Sequence, residues 1–224
     1  MAETALVCGA GGALGGALVE MLTARGDQVI AVDRSAMVEA QADTRVRRER
    51  VDLTDATAVR ELWQRLEAEG ALPRWVVNAV GGFRAGSVAE SSPDDLHFLE
   101  QINLETAWWS CREAARHLAA GGAIVNIGAR AALSGGAGSA AYAVAKAAVV
   151  RLTEVLAAEL APRGVRVNAV LPSLIDTPAN RETLPPAALA AAVAPAELAR
   201  VVGFLLSEAA SAVTGAIVPV YGLA

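Results

Sequence analysis

The sequence predicts an α/β domain, a doubly wound parallel sheet with helices on both faces. Two observations predict it. Short apolar runs alternate with longer helical patterns along all 224 residues, as strands buried on both faces by crossover helices do. No internal repeat or linker divides the chain, and its length suits one core, so 1–224 reads as a single domain.

Strands are expected at 4–9, 28–33, 48–52, 74–80, 122–127, 165–171 and 216–220, and helices at 13–25, 55–69, 93–119, 138–161 and 195–207. Asp55 lies near the start of its helix. Gly26, Gly70, Gly121 and Gly164 fall just past helix ends, where glycine accepts a left-handed conformation. The one long irregular segment, 172–194, holds Pro172, Pro178, Pro185 and Pro186. Its length is that of lids and binding loops, here a substrate or cofactor loop. Right-handed crossovers then give a Rossmann-like sheet of about seven strands, order 3-2-1-4-5-6-7, with ligands at the carboxyl ends.

Composition narrows the function classes. The chain is 54% apolar, but alanine carries much of that, and no uninterrupted apolar run nears the roughly 20 residues a bilayer requires. No basic segment precedes an apolar one at the N-terminus, so no signal peptide is expected. Cys8 and Cys111 make no disulfide framework, and a reducing cytoplasm suits them. Net charge is −5, the basic residues are dispersed, and the one cluster, Arg45, Arg47, Arg48 and Arg50, has acidic neighbours. Neither nucleic acid nor membrane is an expected partner. His97 and His117 lack a metal-ligand constellation and read as surface residues; no metal is expected.

The first strand runs into Cys8-Gly9-Ala10-Gly11-Gly12-Ala13-Leu14-Gly15 and then a helix. Such glycines permit a tight turn and let the backbone approach a pyrophosphate at the helix N-terminus; the bland alternative is a turn that binds nothing. The second strand ends in Asp33, whose carboxylate can accept both adenosine ribose hydroxyls and repel a 2′-phosphate, favouring NAD(H). Arg34 follows and could pair with that phosphate, which keeps NADP(H) open. Asp52-Leu53, ending the third strand, can contact adenine, or Asp52 can face solvent.

Tyr142 and Lys146 stand four residues apart, on one face of a helix. An ammonium near a phenol favours phenolate and makes Tyr142 an acid or base usable near neutrality. Lys146 is the only lysine beside 18 arginines, which marks a place for a compact ammonium. An ordinary surface lysine beside a half-buried tyrosine is the competing reading.

The Gly-rich opening, Asp33, Asn78-Ala79-Val80-Gly81, Asn103, Tyr142…Lys146, Pro172 and Thr177 occur in an order that resembles the short-chain dehydrogenase/reductase family over essentially the whole chain. The resemblance implies an NAD(P)-dependent oxidoreductase acting on a small molecule. Tyr142 would be proton donor and Lys146 would bind the nicotinamide ribose. Asn103 would hold a water linking Lys146 to solvent, or else satisfy a kinked helix backbone. Leu14, Asn78, Gly81, Pro172, Ile175 and Thr177 would line the cofactor site, the last two with loop packing as the alternative.

The family's usual serine, 13 residues before the tyrosine, is Ala129 here. That hydroxyl normally polarises a carbonyl. Ser134 and Ser139 are the possible substitutes, though both read as ordinary loop residues. Leu171-Pro172…Asp176-Thr177-Pro178…Asn180-Arg181 and the alanine at 129 resemble dihydropteridine reductase, which implies hydride transfer to a pterin-like or activated carbonyl or imine substrate. The alternatives are an alcohol/ketone dehydrogenase without the serine, or a cofactor-binding regulator with weak catalysis. Trp108 and Trp109 are adjacent on the long helix, so one reads as core and the other as a subunit interface. Helix 138–161 is rich in small residues that permit close packing, and the family resemblance implies that these two helices pair across a dimer axis in a homodimer or homotetramer.

Overall fold

The computed structural model describes residues 2–35, 37 and 43–222. Seven parallel strands form one sheet: β1 (Thr4–Cys8), β2 (Gln28–Asp33), β3 (Val46–Arg50), β4 (Trp75–Asn78), β5 (Ala123–Ile127), β6 (Arg166–Pro172) and β7 (Ile217–Val220). Their order is β3-β2-β1-β4-β5-β6-β7, as expected. Topology reverses beside β1, where the chain goes outward to β2 on one side and to β4 on the other. Such a reversal opens a crevice at the carboxyl ends of the strands.

One face is covered by α1 (Ala13–Ala24) and α8 (Pro195–Leu206), which bring Leu14, Leu18, Leu22, Leu198, Val202 and Leu205 onto the sheet. The other is covered by α2 (Ala56–Ala68), α4 (Thr106–His117) and α5 (Ala140–Leu160), with Leu62, Trp63, Leu66, Ala114 and Leu156 buried against Leu6, Ile30, Val76 and Ile124. Asp55 caps α2, its carboxylate accepting from the N–H groups of Thr57 (2.8 Å) and Ala58 (3.3 Å), a cap worth about 1 kcal/mol. Gly26, Gly70, Gly121 and Gly164 all take positive φ.

Three expectations change. The helix expected over 93–119 is three pieces: α3 (Pro93–Glu100), a widened π-helical turn (Gln101–Glu105) and α4. The irregular segment 172–194 contains α6 (Pro178–Thr183) and α7 (Pro186–Leu189), each starting on the proline that tolerates a first helical position. His117 is not a plain surface residue. Its ring stacks on Trp63 with centroids 5.3 Å apart, and its Nδ1 lies 2.8 Å from the Glu113 carbonyl.

Trp109 packs partly into the core, whereas Trp108 is exposed. Cys8 and Cys111 are buried free thiols, and burial pushes both up to about 12. Among the described residues, no helix is long and apolar enough to cross a membrane.

Candidate active site

The β1–α1 loop is built by close approach. The N–H groups of Gly9 and Ala10 both donate to the Val32 carbonyl (2.8 and 3.1 Å), which holds the loop across the end of β2. Gly9 has φ +82°, and a Cβ on Gly15 would stand 2.0 Å from the Gly9 carbonyl oxygen. Only glycine fits there. Gly12 precedes α1, whose N-terminus has no side-chain cap, so its first N–H groups remain available to an anion.

Asp33 closes this loop from the side, its Oδ2 accepting from Gly11 N–H (3.1 Å) and its Oδ1 from Ser35 N–H (3.0 Å). Asp33, Arg34, Asp52 and Leu53 border a cavity of about 270 Å³ with Gly9 and Gly12. Asp52 accepts from the Thr54 hydroxyl (2.7 Å) and N–H (3.0 Å), which hold its carboxyl below the usual range.

Ala79, Val80, Gly81 and Gly82 floor this cavity and also a second one of about 740 Å³, so the two form one cleft. Leu14, Asn103, Ala129, Tyr142, Lys146, Pro172, Ile175 and Thr177 all border the larger part. The cleft therefore runs from the carboxylate at β2 to the phenol on α5. Loop glycines whose added Cβ would meet backbone, an uncapped helix N-terminus and a carboxylate at the strand end together suit a dinucleotide.

Lys146 is buried, and its Nζ donates to the Ile127 carbonyl (2.9 Å). Burial brings its pKa down to about 8. Asn103 sits in the π-helical turn. Its Nδ2 donates to the carbonyls of Leu99 (3.0 Å) and Gly82 (2.9 Å), and its Oδ1 accepts from Gly82 N–H (3.2 Å). The first bond fills a helix carbonyl freed by the wider turn, while the other two clamp the cleft floor. A Cβ on Gly81 would stand 3.0 Å from Asn103 Oδ1 and 3.2 Å from Lys146 Nζ. Two polar side chains thus meet at one backbone position.

Tyr142 corrects an expectation. Its pKa is raised by burial, and Lys146 makes no lowering contribution to it. The Phe83 ring packs edge-on against the phenol with centroids 5.1 Å apart.

Asn78 is also displaced from its expected place. It is buried below the cleft, where Nδ2 donates to Asn126 Oδ1 (2.8 Å) and to Cys111 Sγ (3.3 Å). It fastens β4 to β5 and borders neither cavity. Gly11 and Gly15 shape the loop from outside and beneath. Ala129 is buried at the cleft wall with only a methyl to offer. Ser134 and Ser139 donate to the carbonyls of Arg130 and Gly136 (3.1 and 3.3 Å) and do not border the cleft.

Sequence reasoning missed Phe83, Ser173, Asn180 and Leu184, which border the larger cavity. Thr177 before Pro178 was the available signal for α6: its hydroxyl accepts from Asn180 N–H (3.2 Å) and caps that helix. Among the described residues, no three His, Cys, Asp or Glu are placed to hold a metal.

A family model described as enoyl-(acyl carrier protein) reductase matches residues 9–222. Galactitol 2-dehydrogenase of Rhizobium johnstonii is 38% identical, over 97% of this chain and 93% of its own. A short-chain dehydrogenase/reductase of Brucella melitensis described as a glucose/ribitol dehydrogenase superposes with TM-score 0.91, at 29% identity over 99% of this chain and 96% of its own. A blue fluorescent protein from a metagenomic library, solved with NADPH, superposes with TM-score 0.90, at 28% identity over 98% of this chain and 96% of its own. The chain belongs to the short-chain dehydrogenase/reductase family of NAD(P)-dependent oxidoreductases.

Proposed function

We propose that this protein interconverts a secondary alcohol and its ketone, with Tyr142 as the group that moves the proton. The observation that carries this reading is the single cleft holding both the glycine loop and the Tyr142–Lys146 face of α5. Nicotinamide, when bound, supplies or accepts the hydride. The likeness to a galactitol dehydrogenase and to a glucose/ribitol dehydrogenase supports an alcohol as substrate.

The roles follow from chemistry. Tyr142 gives its proton to the carbonyl oxygen in reduction and takes it back in oxidation. Lys146 would hold the nicotinamide ribose hydroxyls, and its positive charge would favour the phenolate and so offset the burial that raises Tyr142. Asn103 fixes Gly82 and holds the floor on which Lys146 rests. Asp33 accepts ribose hydroxyls and disfavours a 2′-phosphate, so NAD(H) is the preferred cofactor; Arg34 at the same cavity is the group that would admit NADP(H).

Ala129 favours a second reading, reduction of a quinonoid dihydropterin. Such a conjugated, electron-poor system needs less polarisation from a serine hydroxyl. Rates on polyols, simple ketones and quinonoid dihydropterin with NADH discriminate the two. Tyr142→Phe abolishes turnover and leaves NADH affinity within about twofold, since one hydroxyl outside the dinucleotide loop is lost. Unchanged turnover in that variant refutes the assignment.

We also propose a dimer through α4 and α5. Exposed Trp108 and Val155 border an apolar groove between these helices, flanked by Arg112, Arg151 and Glu159. A second copy offers both the matching apolar surface and the opposite charges.

A further inference from the structure

We propose that a smaller cavity beside the reaction cleft is the far end of the substrate site, where Arg130 binds a carboxylate carried by the substrate. The inference rests on the alcohol dehydrogenase reading above and adds the substrate's class, a hydroxy acid or its keto acid. This cavity, of about 360 Å³, is bordered by Arg130, Ser134, Ser139 and Ala188. It shares Ser173 and Leu174 with the reaction cleft, so a molecule can extend from one into the other.

Strand geometry places the side chains. β5 and β6 run parallel with Ile127 beside Val170, which carries Ala129 and Arg130 past the same end of the sheet as Pro172 and Ser173. Ala129 is fully extended (φ −159°, ψ 156°), and the chain then tightens into a single 3₁₀ turn over Arg130–Ala132. Ala129 borders the reaction cleft and Arg130 the smaller cavity.

Arg130 is held yet unneutralised. Its guanidinium lies over the Tyr221 ring, 5.1 Å from the centroid, an attraction that orients the plane without using its N–H donors. Arg25, Arg74, Arg84 and Arg181 each pair with a carboxylate, whereas no described carboxylate pairs with Arg130. A planar cation with its donors free, in a chain of net charge −5, matches a carboxylate two bonds at a time. The hydroxyls of Ser134, Ser139 and Ser173 donate to the carbonyls of Arg130, Gly136 and Tyr221. They thus offer acceptor oxygens and leave the anion to the arginine.

The test uses 4-oxopentanoate and its methyl ester, which differ in one charge. Calorimetry on the NAD⁺-saturated protein reads binding without turnover, and oxidation of 4-hydroxypentanoate and its ester reads catalysis. The acid binds about tenfold more tightly than the ester, the scale of a charge-assisted pair at a partly open site. Arg130→Gln removes that preference and leaves ester binding unchanged, and Arg130→Lys keeps part of it. The proposal is overturned if acid and ester bind alike or not at all, if Arg130→Gln weakens both equally, or if the preference survives it. Acid binding that depends on Arg130 without oxidation of either alcohol would remove the proposed reaction and leave the anion site standing. Oxidation of both alcohols at equal efficiency would do the reverse.

Discussion

Replacing Lys146 with methionine is expected to make the protein more stable while removing its activity. The ammonium is buried, and its pKa falls from 10.5 to about 8. A cation whose folded pKa lies below its unfolded one destabilises the fold wherever both states are protonated. That penalty is fully present below pH 8, shrinks as pH rises toward 10.5 and vanishes above it. A shift of this size corresponds to about 3 kcal/mol. Methionine follows the same path without charge but leaves the Ile127 carbonyl unpaired, which costs about 1 kcal/mol. Lys146→Met should therefore gain about 2 kcal/mol near neutrality, or roughly 4–8 °C in Tm for a chain of this length. Urea unfolding at fixed protein concentration, from pH 7 to 10.5, is the measurement. Wild type alone is ambiguous, because Cys8 and Cys111, raised to about 12, lose stability as pH rises above 9. The difference between variant and wild type cancels them and should shrink steadily above pH 8. A variant less stable at pH 7, or a difference that stays flat to pH 10.5, refutes the reasoning.

Three more outcomes are expected. Gly15→Ala puts a methyl 2.0 Å from the Gly9 carbonyl, so stability falls by about 2–3 kcal/mol and NADH titration shows clearly weaker binding; Gly16→Ala, with nothing within 4 Å, is the control and should not destabilise. Asp33→Ala removes the carboxylate beside Gly11, and the ratio of kcat/KM for NADPH over NADH should rise by at least roughly tenfold. Trp108→Glu places charge on the exposed α4 face, and sedimentation should show monomers where the proposed dimer forms in the unsubstituted protein.

Most of the sheet was legible in the sequence because strands β1, β2, β4, β5 and β6 are buried runs that cannot be read as anything polar. β3 starts two residues earlier than the expected 48–52, because Val46-Arg47-Arg48-Glu49-Arg50 is an edge strand with little apolar signal. The break at Gln101–Glu105 was not legible, since it is stabilised by the Asn103 amide reaching Leu99 and Gly82, a pairing that periodicity does not encode. α6 and α7 are six and four residues long, too short to show a helical period. The glycine loop and the Tyr142–Lys146 pair are local patterns that the sequence displays directly, and the structure brings both to one cleft. Phe83, Ser173 and Arg130 could not, because cavities join residues distant in the chain. Asn78 failed for the opposite reason: its place in the motif was right, but it fastens strands beneath the cleft rather than lining it.

The solitary lysine has a chemical consequence beyond its place in the cleft. Apart from the N-terminus, Nζ of Lys146 is the only primary amine the chain carries, and it is buried at the floor of the cleft. With a pKa of about 8, much of it is unprotonated at mildly alkaline pH. Acylating reagents should therefore mark one internal atom, at a rate set by how often the cleft opens to them. A lysine-specific protease likewise has one cleavable bond, within α5, which only unfolding presents. A single amine thus becomes an internal clock for opening and a single scissile point for collapse, both readable by mass without introducing a label.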